Sequence, residues 1–245
     1  SLRGDAPALV YRLRLDAAGP VGPGGHPAAD LHLLNDEDHT FAAVRTDPAS
    51  LEVLLARGGG LPTPLARAVA VGTTWDMLQK GELTPADFLT SVLGVLRTER
   101  TPGVVGPFLG LAVATAEEWS PTSGVAAARH SLADVALVLA EDPDLRIQAL
   151  QVVAGAASTD AHWAALEAAA DDPDIAWRIL VRRAELGDHD PAAVTALVER
   201  DPDPEAATRA LTVRAALPDA EAKEEVWQAV FTDRAVHAGL AMRRL

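Results

Sequence analysis

Hydrophobic positions along the chain begin with a two-residue period and then shift to a helical one. Leu9, Tyr11, Leu13 and Leu15 share one face of a stretch whose other face carries Arg12 and Arg14, the pattern of a half-buried strand. Residues 19–27, GPVGPGGHP, interrupt it as a loop, because Gly and Pro prevent a ladder from continuing. Leu31 to Leu34 and Phe41 to Arg45 read as two further short strands around the turn Asn35-Asp36-Glu37-Asp38. From Asp47 onward the signals are those of helix starts. Asp47-Pro48 is a cap with Pro in the first helical position, and Gly58 ends the helix. Pro62 and Pro64 open the next, which runs past Trp75 and stops at Gly81, and Thr84 caps a third with Asp87 at its third position. Helices are expected to follow at about 103–118 and 122–140.

The second half repeats itself. Asp142-Pro143-Asp144 recurs as Asp172-Pro173-Asp174 and as Asp201-Pro202-Asp203, at spacings of 30 and 29 residues, and a further Asp stands 18 positions after each first one, at 160, 190 and 219. Each unit reads as cap, helix, turn, cap, helix. One such hairpin cannot bury its apolar face alone, so hairpins must stack. The fold class expected is mostly α, with at least ten helices after Asp47 in a curved superhelical stack of antiparallel pairs, HEAT- or armadillo-like. A small remnant of β-strands precedes it. The expected domains are residues 1–46, a truncated β-sandwich remnant, and residues 47–245, the helical repeat domain.

Composition narrows the packing. Of the 245 residues 49% are hydrophobic but only 4% aromatic, so the core must be built from Ala, Leu and Val, which favour close helix approach. The five Trp residues, 75, 119, 163, 177 and 227, are spread about one per helix pair, which suits core anchors. The formal charge of −14 disfavours nucleic acid and anionic membrane as partners. No apolar run reaches the ~18 residues of a membrane span, and residues 1–10 lack the basic-then-apolar order of a signal peptide. There is no cysteine, which removes disulfides, thiolate metal sites and a Cys nucleophile and fits a cytoplasmic location. A first residue Ser1 in place of Met points to a piece of a longer polypeptide.

Catalytic and metal constellations are missing from the pattern. Of the seven His, at 26, 32, 39, 130, 162, 189 and 237, no two are four apart and none is followed by Glu, so no zinc helix of the HExxH type exists in these residues. Asp36, Glu37 and Asp38 read as a solvated turn rather than a calcium site. Gly22-Pro23-Gly24-Gly25 lacks the Lys-Thr and helix of a phosphate loop, and Ser131 beside His130 diverges from it on a helix. His162 reads as a helix-start residue. The basic residues Arg67, Arg178, Arg182 and Arg183 remain as candidates for ligand contact.

Two segments carry a resemblance. LHLLNDEDHTFAAVRTDPASLEVLL with LPTPLARAVAVGTTWDMLQKGEL, over residues 31–83, resembles the junction between the small β-sandwich and the C-terminal helical domain of the aminopeptidase N family of zinc metallopeptidases. The branch it resembles is the actinomycete type, whose helical domain is similar to that of the endoplasmic-reticulum aminopeptidases. ALPDAEAKEEVWQAVFTDRAV, residues 216–236, is similar to that domain's last characteristic segment. The resemblance implies a non-catalytic domain: the family's HExxH helix and its Gly-x-Met-Glu-Asn loop are both absent. It implies a parent enzyme in which zinc-activated water removes N-terminal residues from peptides. Its partners would be the catalytic domain of the same polypeptide and the peptide substrate, with no cofactor in this piece. The helical domain would close the active-site cavity. Basic residues on its inner face, here Arg178 and Arg182, would meet the substrate's C-terminal carboxylate. This chain departs from the family in having Ala176-Trp177 where relatives carry Arg-Trp, Ala43 where they often have Lys, and Val71 where they often have Trp. A free-standing helical scaffold for a protein partner is the rival reading.

Overall fold

The computed structural model describes residues 30–39 and 43–233, with the backbone of Leu2–Arg3 and Ala6–Pro7. The chain divides into two compact units, Ser1–Leu139 and Ala140–Leu245, and the boundary falls at the start of the Asp-Pro repeat. Eleven α-helices follow Asp47 among the described residues, in agreement with the mostly α class expected. The expected strand over residues 9–15 lies outside the described residues.

In the first unit, α1 (Pro48–Arg57) opens on Asp47, whose carboxylate accepts the Ser50 N–H, and α2 (Pro64–Gln79) opens on Thr63 in the same way. Pro at the first helical position supplies the right φ and gives up an N–H that no helix would use. Gly81, at φ +72°, ends α2. Its N–H bonds the Leu78 carbonyl, and the next N–H, of Glu82, bonds that of Met77, a pairing that favours glycine in the left-handed position. Then α3 (Pro85–Leu96) buries Phe88, Val92, Val95 and Leu96 against α1, α2 and α4 (Pro102–Ala114), and α5 (Val125–Leu139) closes the unit.

The short strands expected at Leu31 to Leu34 and Phe41 to Arg45 are not strands where they are described. Residues 31–33 and 43–45 carry no ladder, and the only one among the described residues is the two-residue pair Leu2–Arg3 with Ala6–Pro7. Residues 31–33 find a helix instead of a strand as their partner. Leu31 enters a cluster with Leu54, Leu61, Ala66 and Ala70, and Leu33 packs against it. The His32 N–H bonds Ser50 Oγ at 2.9 Å, so a helix side chain takes the donor a neighbouring strand would have used. On the far side of the turn, Arg45 ties the segment to Asp76 of α2, at 2.7 Å, and to Glu82. The turn forms as read, with Asn35 and Asp38 at positive φ.

Among the described residues the second unit holds three helical hairpins: α6 (Arg146–Ala156) with α7 (Asp160–Glu167), α8 (Pro173–Glu185) with α9 (Pro191–Arg200), and α10 (Ala206–Ala216) with α11 (Ala220–Trp227). Helix α8 packs against α6 on one side and α10 on the other. Ile175, Trp177, Ile179 and Ala184 are buried on α8. The repeated aspartates do not all act as the caps they resemble. Asp172, Asp190 and Asp219 cap helices directly. Asp142 and Asp201 instead accept the N–H two residues on, and their helices start several residues later. Thr159 takes the cap of α7 from Asp160. A short polar side chain after a helix can close an Asx turn as readily as it caps a helix, and the sequence pattern is the same for both.

The tryptophans divide as well. Trp177 is 3% exposed and is a core anchor as expected. Trp75 is half-buried, against Phe88 with ring centroids 5.2 Å apart and Trp119 at 5.8 Å. Trp119 and Trp227 are exposed at 39% and 57%, so they are not core residues; Trp227 stacks on Phe231 at 4.3 Å.

Gly59 lies in a 3-10 turn between α1 and α2, where an added Cβ would sit 2.4 Å from the Gly94 carbonyl oxygen of α3. Backbone, not a flexible side chain, blocks the space. Gly59→Ala should therefore destabilise the fold by about 1–3 kcal/mol. Urea denaturation followed by circular dichroism measures this, with Gly60→Ala, which meets nothing within 4 Å, as the control.

Candidate functional site

The four candidate arginines occupy different environments, and those environments come from the helix positions. Arg67 on α2 is internal. Its Nε and Nη2 each lie 2.7 Å from Glu99 Oε2 and its Nη1 donates to the Leu61 carbonyl at 2.7 Å. Glu99, 1% exposed, accepts at its other oxygen from the N–H groups of Arg100 and Thr101. Burial opposes the negative charge, but the Arg67 guanidinium and the two backbone donors outweigh it and hold the Glu99 carboxyl down to about 2. Arg67 is thus a tie between α2 and the α3–α4 turn.

On α8, Arg178 and Arg182 lie one turn apart and do opposite things. Arg182 is 8% exposed and turned inward: Nε donates to the Ala157 carbonyl at the end of α6 at 3.1 Å, and Nη1 meets Glu185 at 2.7 Å. Arg183 pairs with Glu167 at 2.9 Å and lies over the Trp163 ring at 5.5 Å. Arg178 has an exposed side chain. Its Nε donates to Asp174 Oδ2 at 2.9 Å, and its two Nη atoms meet no protein acceptor among the described residues.

Asp174 belongs to a network that reaches all three hairpins. Gln151 of α6 donates to Oδ2 at 3.0 Å, and Arg209 of α10 donates to Oδ1 at 3.3 Å and to Asp203 at 3.0 Å. Asp203 follows Asp201, which accepts the buried Trp177 indole N–H at 2.7 Å. Asp174 is partly desolvated, which raises its pKa. The bonds from Arg178 and Gln151 and the charges of Arg178 and Arg209 prevail, and the carboxyl lies below its ordinary value. Asp201 is lowered too, chiefly by the Trp177 N–H. Asp174, Gln151 and Arg209 were not legible as a group in the sequence. Asp174 showed only as a repeat marker, and Gln151 and Arg209 stand 23 and 35 residues from it on other helices.

Among the described residues no three His, Asp or Glu side chains are grouped as a metal site requires. Asp38 bonds back to Asn35, and Glu37 lies 3.0 Å from His39. His162, fully buried in the first turn of α7, accepts the Ser158 N–H at Nδ1 at 3.2 Å. Among the described residues no helix is long and apolar enough to cross a membrane.

Comparison with known proteins places this arrangement. The profile of the ERAP1-like C-terminal domain matches residues 31–241. The chain belongs to the ERAP1-like C-terminal domain family. It is also similar to Aminopeptidase N of Streptomyces lividans, 29% identical over 243 residues and covering 94% of this chain. The chain spans only 28% of the length of that relative. The expected resemblance to the C-terminal domain of an aminopeptidase N is thereby established, and the ERAP1-like match runs through both compact units.

The Arg67–Glu99 tie predicts a pH dependence. A carboxyl whose folded pKa is lowered contributes stability that is fully present above its unfolded value, near 4.5. That stability is lost as pH falls through the folded value, near 2. Its contribution is about 3 kcal/mol. Denaturation midpoints should fall between about pH 4.5 and 2, and Glu99→Gln should lower stability at neutral pH and flatten that part of the profile.

Proposed function

We propose that this chain is the C-terminal helical domain of a zinc aminopeptidase that acts in the cytoplasm. In that enzyme the catalytic domain of the same polypeptide holds the zinc and activates water to release N-terminal residues from peptides. The present residues close the cavity and help select the peptide. The observation that carries this reading is the family match over residues 31–241 together with the long relative it accompanies.

Within the domain, Arg178 is the proposed contact for the peptide's C-terminal carboxylate. A guanidinium bonded to its own partner through Nε alone leaves the pair of Nη donors at its end for a carboxylate to accept. Arg182, the second residue expected in that role, has its guanidinium engaged by Ala157 and Glu185, and in this reading it orders the α6–α8 contact behind Arg178. The scaffold alternative draws on Trp227 and Phe231, an exposed aromatic pair of the kind that docks a protein partner.

Kinetics of the full enzyme test the reading. Arg178→Ala should lower kcat/KM for short peptides by about tenfold or more, the loss of one charge-assisted contact, and leave uncharged amino-acid anilides unaffected. Arg182→Ala should lower stability and affect both substrate types alike. Equal effects of Arg178→Ala on peptides and anilides would remove the carboxylate contact. An enzyme without aminopeptidase activity in any form would favour the scaffold.

A further inference from the structure

Asp174 sits between two arginines and is held from both neighbouring hairpins. Its Oδ2 takes Arg178 Nε at 2.9 Å and Gln151 Nε2 at 3.0 Å, and its Oδ1 takes Arg209 Nη1 at 3.3 Å. Arg209 is mostly buried, with its side chain 17% exposed, and its second Nη is fixed by Asp203. The first helices of the three hairpins, α6, α8 and α10, thus each place one group on the same carboxylate.

The geometry has a consequence for Arg178. A free arginine side chain on a helix samples many rotamers, and ordering it on binding costs free energy. An acceptor on Nε removes that freedom while leaving the Nη pair open. A carboxylate arriving at the Nη edge then meets a donor pair already set, on the side of the guanidinium away from Asp174. The charge of Asp174 is shared with Arg209 and so opposes the incoming anion less than a lone aspartate would.

We infer that Asp174 is a positioning residue: it sets the Arg178 guanidinium for a peptide's C-terminal carboxylate, and Gln151 and Arg209 set Asp174. This rests on the proposed role of Arg178 and adds a requirement to it, namely that the contact depends on all three hairpins being in register. The first hairpin, through Gln151, and the third, through Arg209, would then influence peptide selection without touching the peptide.

The experiment compares short peptides with the same peptides as C-terminal amides, in the full enzyme. Asp174→Asn keeps the side chain's shape but removes the charge that holds Arg178. It should raise KM for the free-acid peptides about two- to tenfold, the range of a pairwise coupling between contacting groups, with kcat and the amide kinetics unchanged. In an Arg178→Ala background the same substitution should change nothing further, because its effect passes through Arg178. Asp203→Asn, which loosens Arg209 but leaves the Arg178–Asp174 pair intact, acts on Asp174 only indirectly and should raise KM for the acids by less than Asp174→Asn does. An unchanged KM for Asp174→Asn alongside a raised one for Arg178→Ala would overturn the positioning role and leave the carboxylate contact standing. No acid–amide difference for Arg178→Ala would overturn the contact itself. A separate effect of Asp174→Asn in the Arg178→Ala background, or an Asp203→Asn variant that behaves like Asp174→Asn, would replace positioning by a general field effect. If Asp174→Asn loses its helical circular dichroism, Gln151→Leu decides the matter: a smaller rise in KM for acids alone supports the role, and none overturns it.

Discussion

Close approach of small-faced helices is the constraint on which this structure depends. With few aromatic residues, the chain cannot fill its interior with large side chains, and it buries Ala, Leu and Val instead. Ala133 and Ala136 on α5, Ala149 and Ala154 on α6 and Ala184 on α8 are all fully buried. Close-packed interiors leave little slack, so each turn between helices must fit its neighbour closely. Gly59 shows the tolerance: its Cα faces the α3 backbone at a distance that admits no Cβ.

Such packing leaves the hairpins to be held in register by polar ties with buried anchors. Arg67 with Glu99 fastens α2 to the α3–α4 turn, Arg182 fastens α8 to the end of α6, and the Trp177 indole fastens α8 to Asp201 before α10. Each joins groups that burial would penalise if left alone, so each favours one arrangement over others of similar apolar burial. The Asp174 network is the exposed counterpart. There the ties come to the surface, where Arg178 bonds Asp174 through Nε.

The proposed division of labour follows from the same features. The described residues offer no metal donor set, and the family match names a C-terminal domain. In the proposed reading, the domain's contribution would be a surface of stacked hairpins on which a few charged groups are set by second-layer contacts.

Much of this was legible in the chain itself. Asp47-Pro48, Pro64 and Thr84-Pro85 are local signals, satisfied within one helical turn, and they marked helix starts correctly. The Asp-Pro spacing gave the three hairpins because each hairpin must bury the same face in its neighbour. Tertiary structure decided the rest. Whether residues 31–33 pair with a strand or strap onto α1 depends on which partner supplies a hydrogen bond to His32, and that partner, Ser50, is 18 residues away. Whether an arginine on α8 faces the interior or the solvent depends on where the carbonyl of Ala157 and the carboxylates of Glu185 and Asp174 lie. Arg178 and Arg182 look alike in sequence, one turn apart on the same helix. Only the packing of α6 and α10 against α8 distinguishes them, because that packing decides which guanidinium is enclosed and which keeps an open edge.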